Sequence, residues 1–214
     1  MKASTMILGT EAFASGLAEL AVDAVRLVHL LAVAVGLGTM VSTDISTLRR
    51  IERPVNQAYS DTLEAAHDLM MPALLIAWIS GILLIGIRTG FDVTAFSPKL
   101  WMKLMVVGLL TSTAVAIKWR VMPIIQAAHG TTLMEVSLRD KLVLATCAGL
   151  SMSGWGTALV LGASTFFKTA DWTTLLVTVF AIYAGVIGMA IRAAFVLHRR
   201  VTDVIVQSRR IAAE

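Results

Sequence analysis

The residue with the clearest capacity for chemistry is His29, which lies inside the otherwise apolar segment RLVHLLAVAVGLG, residues 26–38. An ionisable side chain within a membrane-spanning helix is expensive to keep and marks a candidate functional site. Arg26 lies one helical turn before His29, and Gly36 lies two turns after it on the same face. The segment therefore combines a ligating ring, a cation and a position without a side chain on one stripe.

This combination predicts a site for a b-type haem. A histidine can ligate haem iron, Gly36 would leave room for a flat ring, and Arg26 would lie near a propionate. With about 1.5 Å per residue across about 30 Å of hydrocarbon, His29 lies about 8 Å below the outer boundary and His67 lies near the inner one. A bis-histidine haem is therefore not expected.

Other residues at the depth of His29 complete the predicted site. The second span offers Ser80 and Gly81 at this level, with Gly81 giving further clearance for a ring. The third span offers Met105 as the candidate second ligand of a His/Met haem, and Lys103 could meet an anion beside Arg26. Without Met105 as a ligand, the iron would be five-coordinate.

Two other interpretations of His29 stay open. Copper could bind through His29 and Met105, because soft thioethers favour Cu(I) and the chain has eleven methionines. Alternatively, His29 is a packing residue whose ring is hydrogen-bonded to a backbone carbonyl or to a hydroxyl such as Ser153 or Tyr183. His67 is interfacial by depth and has either a structural or a functional role, whereas His129 and His198 are expected to be ordinary interfacial residues.

The elements that must position these residues are membrane helices. The 214 residues are 57% hydrophobic and 15% charged, which is more apolar than soluble domains. Five segments of about 20 residues can each span a bilayer: residues 21–41, 67–87, 100–116, 142–163 and 173–196. The predicted fold class is an all-α integral membrane bundle in a single domain, 1–214, with an amphipathic cytoplasmic extension at 197–211. Cys147 lies in the fourth span, where a small core residue is expected.

Local signals predict where several helices begin and end. Asp61 and Glu64 match a capping box that would open the second helix, and Gly90 would close it. Ser97 would cap the third helix, and Asp171 would cap the last one. The prolines Pro72 and Pro123 should bend or interrupt their helices.

The distribution of basic residues predicts the orientation of the bundle. Eleven Lys and Arg flank the spans on the side that carries the first connection, the third connection and the C-terminus: Arg49, Arg50, Arg53, Lys118, Arg120, Arg139, Lys141, Arg199, Arg200, Arg209 and Arg210. Five flank them on the other side: Lys2, Arg88, Lys99, Lys103 and Lys168. The N-terminus should therefore lie outside and the C-terminus in the cytoplasm.

Three stretches resemble a family of small histidine-bearing membrane bundles that includes the copper-resistance CopD proteins and the HemJ-type protoporphyrinogen oxidases. These stretches are HLLAVAVGLGTM (29–40), MMPALLIAWISGILLI (70–85) and WMKLMVVGLL (101–110). The resemblance covers about residues 26–116 and implies that His29 is the haem-associated histidine and Lys103 the lysine of the third helix. The sequence departs from HemJ-type proteins at Thr111-Ser112-Thr113 and at Ser42-Thr43-Asp44, and it has a fifth helix.

The expected function is that of a haem b-binding redox or electron-transfer protein of CopD/HemJ-like kind in a bacterial-type inner membrane. One alternative is copper transport or resistance, and another is a non-catalytic membrane-anchor subunit of a larger complex. The expected surroundings are the lipid bilayer, with a homo-oligomer or other membrane subunits possible. The net charge of +4 requires no nucleic acid as a partner.

Overall fold

The computed structural model describes the backbone of residues 2–211 and the side chains of residues 16–203. The helices in this part of the chain are α1 (Lys2–Arg50), α2 (Gln57–Thr89), α3 (Pro98–Ala116), α4 (Met122–Ala127), α5 (Leu138–Ala163) and α6 (Trp172–Ile211). A π-helix, Ile117–Val121, joins α3 directly to α4, and short 3₁₀ turns occupy Val93–Ala95 and Phe166–Lys168.

Five helical segments in the described part are long and apolar enough to cross a membrane: Gly16–Arg50, Gln57–Thr89, Pro98–Ala127, Leu138–Ala163 and Trp172–Asp203. Each contains one predicted span, so the prediction of an all-α multi-pass membrane bundle is confirmed. Four of the five segments extend two turns or more beyond the predicted spans, whereas α5 begins only four residues before its span and ends with it. Large apolar side chains such as Leu30, Leu75 and Phe180 are exposed on the surface of the bundle, which suits a lipid environment rather than water.

Three predicted helix ends are confirmed. Gly90 closes α2 in the left-handed conformation, with φ of 60° and its N–H bonded to the Gly86 carbonyl. The Ser97 hydroxyl accepts a hydrogen bond from the Leu100 amide at 3.3 Å at the start of α3. Asp171 accepts hydrogen bonds from the Thr173 amide and the Thr174 hydroxyl at the start of α6.

The predicted start of the second helix is wrong. Helix α2 begins at Gln57, four residues before Asp61, and Asn56 is its N-cap. The Asn56 side chain accepts a hydrogen bond from the Tyr59 amide at 2.9 Å. Asp61 instead accepts a hydrogen bond from the Gln57 side chain within the first turns of the helix. The Asp61–Glu64 spacing therefore occurs inside a helix that is already capped.

The two prolines have different surroundings. Helix α2 continues through Pro72 from Gln57 to Thr89. Pro123 lies at the start of α4, directly after the π-helix. The predicted interruption of the third span thus occurs as a change of helical pitch just before the proline.

Helix α5 lies at the centre of the bundle and contacts α1, α3 and α6. Its glycines allow close helix packing: a Cβ at Gly149 would lie 3.2 Å from the Ile187 Cα of α6, and a Cβ at Gly154 would lie 2.8 Å from the Leu110 Cδ1 of α3. Cys147 is buried on this helix, as expected.

The two connections at the Arg50 end of α1 are tied together. Val55 N donates to the Thr131 carbonyl at 2.8 Å, and Gly130 N donates to the Val55 carbonyl at 2.9 Å. Beneath them a buried apolar cluster joins α2, α4 and both connections: Val55, Tyr59, Leu63, Met122, Ile125, Ala128 and Leu133. His129 takes part in this link through a backbone bridge with Val55.

Helix α6 continues well past its membrane span, as predicted for residues 197–211, and reaches Ile211. The side chains of the predicted amphipathic stripe beyond residue 203 lie outside the described residues.

Candidate functional site

His29 packs between α1 and α2. Its Nδ1 lies 3.1 Å from the Ala77 carbonyl oxygen and 2.9 Å from the Ser80 Oγ. The Ser80 hydroxyl in turn lies within hydrogen-bonding distance of the Ile76 carbonyl. The prediction that Ser80 shares the depth of His29 is therefore confirmed.

These contacts fix the protonation pattern of the imidazole. A carbonyl can only accept, so Nδ1 must carry the hydrogen that it donates to Ala77, and the Ser80 oxygen is a second acceptor nearby. In neutral imidazole this leaves the lone pair on Nε2. A histidine whose Nδ1–H is held by a backbone carbonyl is oriented in the manner of many metal-ligating histidines.

Gly81 provides the surface on which the imidazole lies. A Cβ at Gly81 would stand 3.4 Å from Cε1 and 3.8 Å from Nδ1 of His29. The space that was predicted at Gly81 for a cofactor ring is thus occupied by the His29 ring.

Gly36 has a different neighbour from the one predicted. A Cβ at Gly36 would lie 2.0, 2.4 and 2.7 Å from three carbon atoms of the Trp155 indole. The indole from α5 fills the space that the sequence suggested for a cofactor ring, and it joins a core cluster with Met40, Leu74 and Leu110. Gly36 therefore allows α5 to insert its tryptophan against α1.

The seam between α2 and α3 contains a position where the backbone is not covered by side chains. The Trp78 indole N–H donates to the Thr111 hydroxyl at 2.9 Å and fixes the register of the two antiparallel helices. Three residues further toward the Gly90 end lie Gly81 on α2, which faces His29, and Gly108 on α3. A Cβ at Gly108 would meet nothing within 4 Å. The α3 backbone at Gly108 is therefore open on this side.

Four cations lie at the end of the bundle above this seam. Lys103 is partly buried and lies within electrostatic range of His29, Lys99 and Arg88, while Lys99 also senses Lys168. Lys99 Nζ donates to the Ser164 carbonyl at 2.7 Å. Among the side chains of residues 16–203, none of these four cations forms an ion pair.

Two acidic side chains at this end, Asp92 and Asp171, are held by local hydrogen bonds instead. The Thr94 hydroxyl and amide both donate to Asp92, and the hydroxyl bond in particular lowers the pKa of its carboxyl. The Thr174 hydroxyl likewise lowers the pKa of Asp171. These carboxylates stay ionised at neutral pH but are used as caps, so the cationic cluster retains a capacity for an added anion.

Two further predicted site residues lie apart from this seam. Arg26 Nη1 is 2.8 Å from Asp23 Oδ1, and both side chains are largely exposed on α1. Met105 is half exposed on the outward face of α3, which it shares with Trp101 and Leu109. The structure therefore brings His29, Gly81 and Lys103 into one region and leaves Arg26, Gly36 and Met105 in other surroundings.

Two of the methionines in the described part of the chain pack in apolar clusters. Met102 is buried among apolar side chains that include Leu161, Phe167 and Leu175, and Met40 packs beside Trp155. Within the described residues there is no group of three or more His, Cys, Asp or Glu side chains that could hold a metal ion.

His67 is more buried than its predicted interfacial position suggested. Its relative exposure is only 4%, its Nε2 lies 3.1 Å from the Ala114 carbonyl, and its Nδ1 has no hydrogen-bonding partner among the described residues. The nearby carboxylate in the sequence, Asp68, was the signal that could have drawn attention to it.

The fold and these side chains define a multi-pass helical membrane protein with two separate interior histidines. Comparison with family models, with curated proteins and with solved structures gives no match for this chain. Its function must therefore be inferred from its own geometry.

Proposed function

We propose that this protein binds haem b through Nε2 of His29 and takes part in membrane electron transfer. The observation that carries the proposal is the pair of acceptors at Nδ1, Ala77 O and Ser80 Oγ. They leave the Nε2 lone pair as the ligating group and hold the ring in one orientation.

The seam between α2 and α3 is the proposed place for the macrocycle. Gly108, where a Cβ would meet nothing within 4 Å, would allow a flat ring to approach the backbone of α3, while Gly81 supports the His29 ring. Lys103, with Arg88 and Lys99 nearer the end of the bundle, would face the propionates, a role that the sequence had suggested for Arg26. This arrangement is supported by the absence of acidic ion-pair partners for these cations in the described region.

The proposed ligation uses a single histidine. His67 precedes Ser80 by thirteen residues on α2, which corresponds to about 20 Å along the helix. The bound haem would supply one-electron redox chemistry at its iron. The chain would orient the His29 imidazole, exclude water with its apolar helices and offset the propionate charges.

The resemblance to CopD and HemJ-type proteins agrees with this proposal at His29 and Lys103. The excess of Lys and Arg at one end supports a cytoplasmic C-terminus, and the membrane that we propose is a bacterial-type inner membrane. The donor and acceptor of the electrons would be other membrane or soluble redox partners.

Absorption spectroscopy of the purified full-length protein, before and after titration with haemin, tests the proposal. We expect a Soret band in the wild type, its loss in His29→Ala, and its retention in the matched control His67→Ala. Lys103→Gln should keep the band but weaken haem binding by up to about fivefold, the effect of losing a charge contact worth about 1 kcal/mol.

Elemental analysis of the same preparations separates the alternatives. Copper without a Soret band would replace the proposal with copper binding, and neither haem nor copper would favour a membrane-anchor subunit. Haem binding that survives unchanged in His29→Ala would also refute the proposal.

A further inference from the structure

His67 has an unused capacity to accept a proton. Its side chain is 5% exposed, and its buried Nδ1 has no hydrogen-bonding partner among the described residues. Leaving a buried polar atom unpaired costs about 1–3 kcal/mol. Such an atom in an otherwise well-packed region requires an explanation.

The neighbouring backbone shows which form of the imidazole is present. Nε2 lies 3.1 Å from the Ala114 carbonyl oxygen, which can only accept a hydrogen bond. Nε2 therefore carries the hydrogen, and Nδ1 of the neutral ring has its lone pair free. Ala114 lies three residues before the π-helix Ile117–Val121, and such π-helical segments occur frequently at functional sites.

Two charged side chains connect Nδ1 to the surface. Asp68 Oδ1 lies 3.8 Å from Nδ1, and the Asp68 side chain is 71% exposed. The same oxygen lies 3.9 Å from Lys118 Nζ, on the π-helix. Asp68 thus stands between a buried base and a partly exposed cation.

A small cavity adjoins His67. It is lined by His67, Met70, Ser151 and Trp155 with apolar residues of α2, α3 and the π-helix, and it has room for about one water molecule. No lining residue other than His67 is titratable. From α1, Asp44 forms no ion pair with His67, and the charged groups facing the imidazole from α2 and the π-helix are Asp68 and Lys118.

We propose that His67 is a proton-binding site that opens to the end of the bundle carrying the connections 51–56 and 128–137. A proton from water reaches the Asp68 carboxylate and passes to Nδ1 of His67. The Nε2–H remains hydrogen-bonded to the Ala114 carbonyl throughout. The products are an imidazolium and an ionised Asp68, so the net change is the uptake of one proton. Protonation gives Nδ1 a hydrogen to donate and draws Asp68 from Lys118 toward His67.

Histidine NMR tests this site without any cofactor, so it is independent of the haem proposal. Full-length protein labelled at its histidine ring carbons is titrated in detergent micelles between about pH 5 and pH 9, the range in which histidines change charge. Replacing each histidine with glutamine assigns the four resonances. We expect the His67 resonance to titrate reversibly in a single step, and to do so equally in His29→Gln.

Two substitutions at exposed positions test the route. Asp68→Asn should move the midpoint of the His67 titration to lower pH, by up to about one unit, because the imidazolium loses its anionic neighbour. Lys118→Gln should move it to higher pH. The matched control Asp61→Asn, two turns earlier on the same helix, should leave it unchanged.

These variants do not depend on His67→Gln remaining folded. A His67 resonance that stays in its neutral position until the protein unfolds would refute the proton-binding site. A titration that is indifferent to both Asp68→Asn and Lys118→Gln would refute the route through Asp68.

Discussion

At the scale of single residues, depth along the helix was predictable but the identity of the neighbouring helix was not. Ser80 and Gly81 were expected at the level of His29, and both contact it. His29 has the contacts expected of a packing histidine, a backbone carbonyl and a hydroxyl, but they belong to Ala77 and Ser80 of α2. The hydroxyls named for that role, Ser153 and Tyr183, lie on α5 and α6. The depth of a residue can be counted along its helix from the sequence, but the sequence does not show which helices face each other.

The burial of His67 illustrates the same limit. Its position along α2 gave an interfacial depth, but its exposure depends on α3 and the π-helix lying against it. Gly36 was likewise identified as a position where space matters, while the occupant of that space, Trp155, comes from a helix more than a hundred residues later.

The Gly36 contact leads to a prediction about stability. Gly36→Ala should lower the thermal stability of the protein in detergent, because the added methyl group would overlap the Trp155 indole. Overpacking of this kind costs about 1–3 kcal/mol. Gly38→Ala on the same helix is the control, since a Cβ there meets nothing within 4 Å, and it should be neutral or slightly stabilising.

A second substitution checks the cause. If the indole is responsible, Trp155→Phe should reduce the additional loss caused by Gly36→Ala. Equal melting temperatures for Gly36→Ala and Gly38→Ala would contradict the packing described for Trp155.

At the scale of elements, the π-helix leaves a trace in the sequence pattern. Buried residues follow helical spacing at Met102, Val106, Leu110 and Thr113, and then resume at Met122. The step from Leu110 to Met122 is twelve residues, one more than the eleven that make about three turns of an α-helix. The five-residue π-helix accommodates the extra residue. Pro123 indicated the neighbourhood of this irregularity but not its form.

Helix α2 provides a prediction at this scale, because its start was mispredicted for an identifiable reason. Asn56→Ala should destabilise the protein by about 1 kcal/mol, since Asn56 satisfies the Tyr59 amide. Asp61→Ala removes only an exposed contact with Gln57 and should have a much smaller effect. Thermal unfolding of both variants in the same detergent decides between the two caps, and a larger loss for Asp61→Ala would restore the capping box at residues 61–64.

At the scale of the whole molecule, the lengths and composition of the apolar segments were sufficient to predict the class of fold. In lipid, the backbone N–H and C=O groups of five apolar segments of this length are all hydrogen-bonded only if each segment forms a helix. The described part of the structure has five such helical segments. The candidate site was harder to predict from the sequence, because it lies where α1, α2 and α3 meet. The cationic cluster above it combines Arg88, Lys99, Lys103 and Lys168 from three separate parts of the chain.

The orientation of the bundle in the membrane gives the last prediction. Eleven Lys and Arg flank the spans at the end that carries the connection 51–56, against five at the end that carries Val93, so the first end should be cytoplasmic. The native cysteine, Cys147, is buried, so introduced cysteines can be labelled selectively. In intact cells, a membrane-impermeant thiol reagent should label Val93→Cys and spare Glu52→Cys. After the cells are opened, both should react, since both native side chains are exposed. Labelling of Glu52→Cys but not of Val93→Cys in intact cells would invert the topology, and it would place the His67 proton site on the outer side of the membrane.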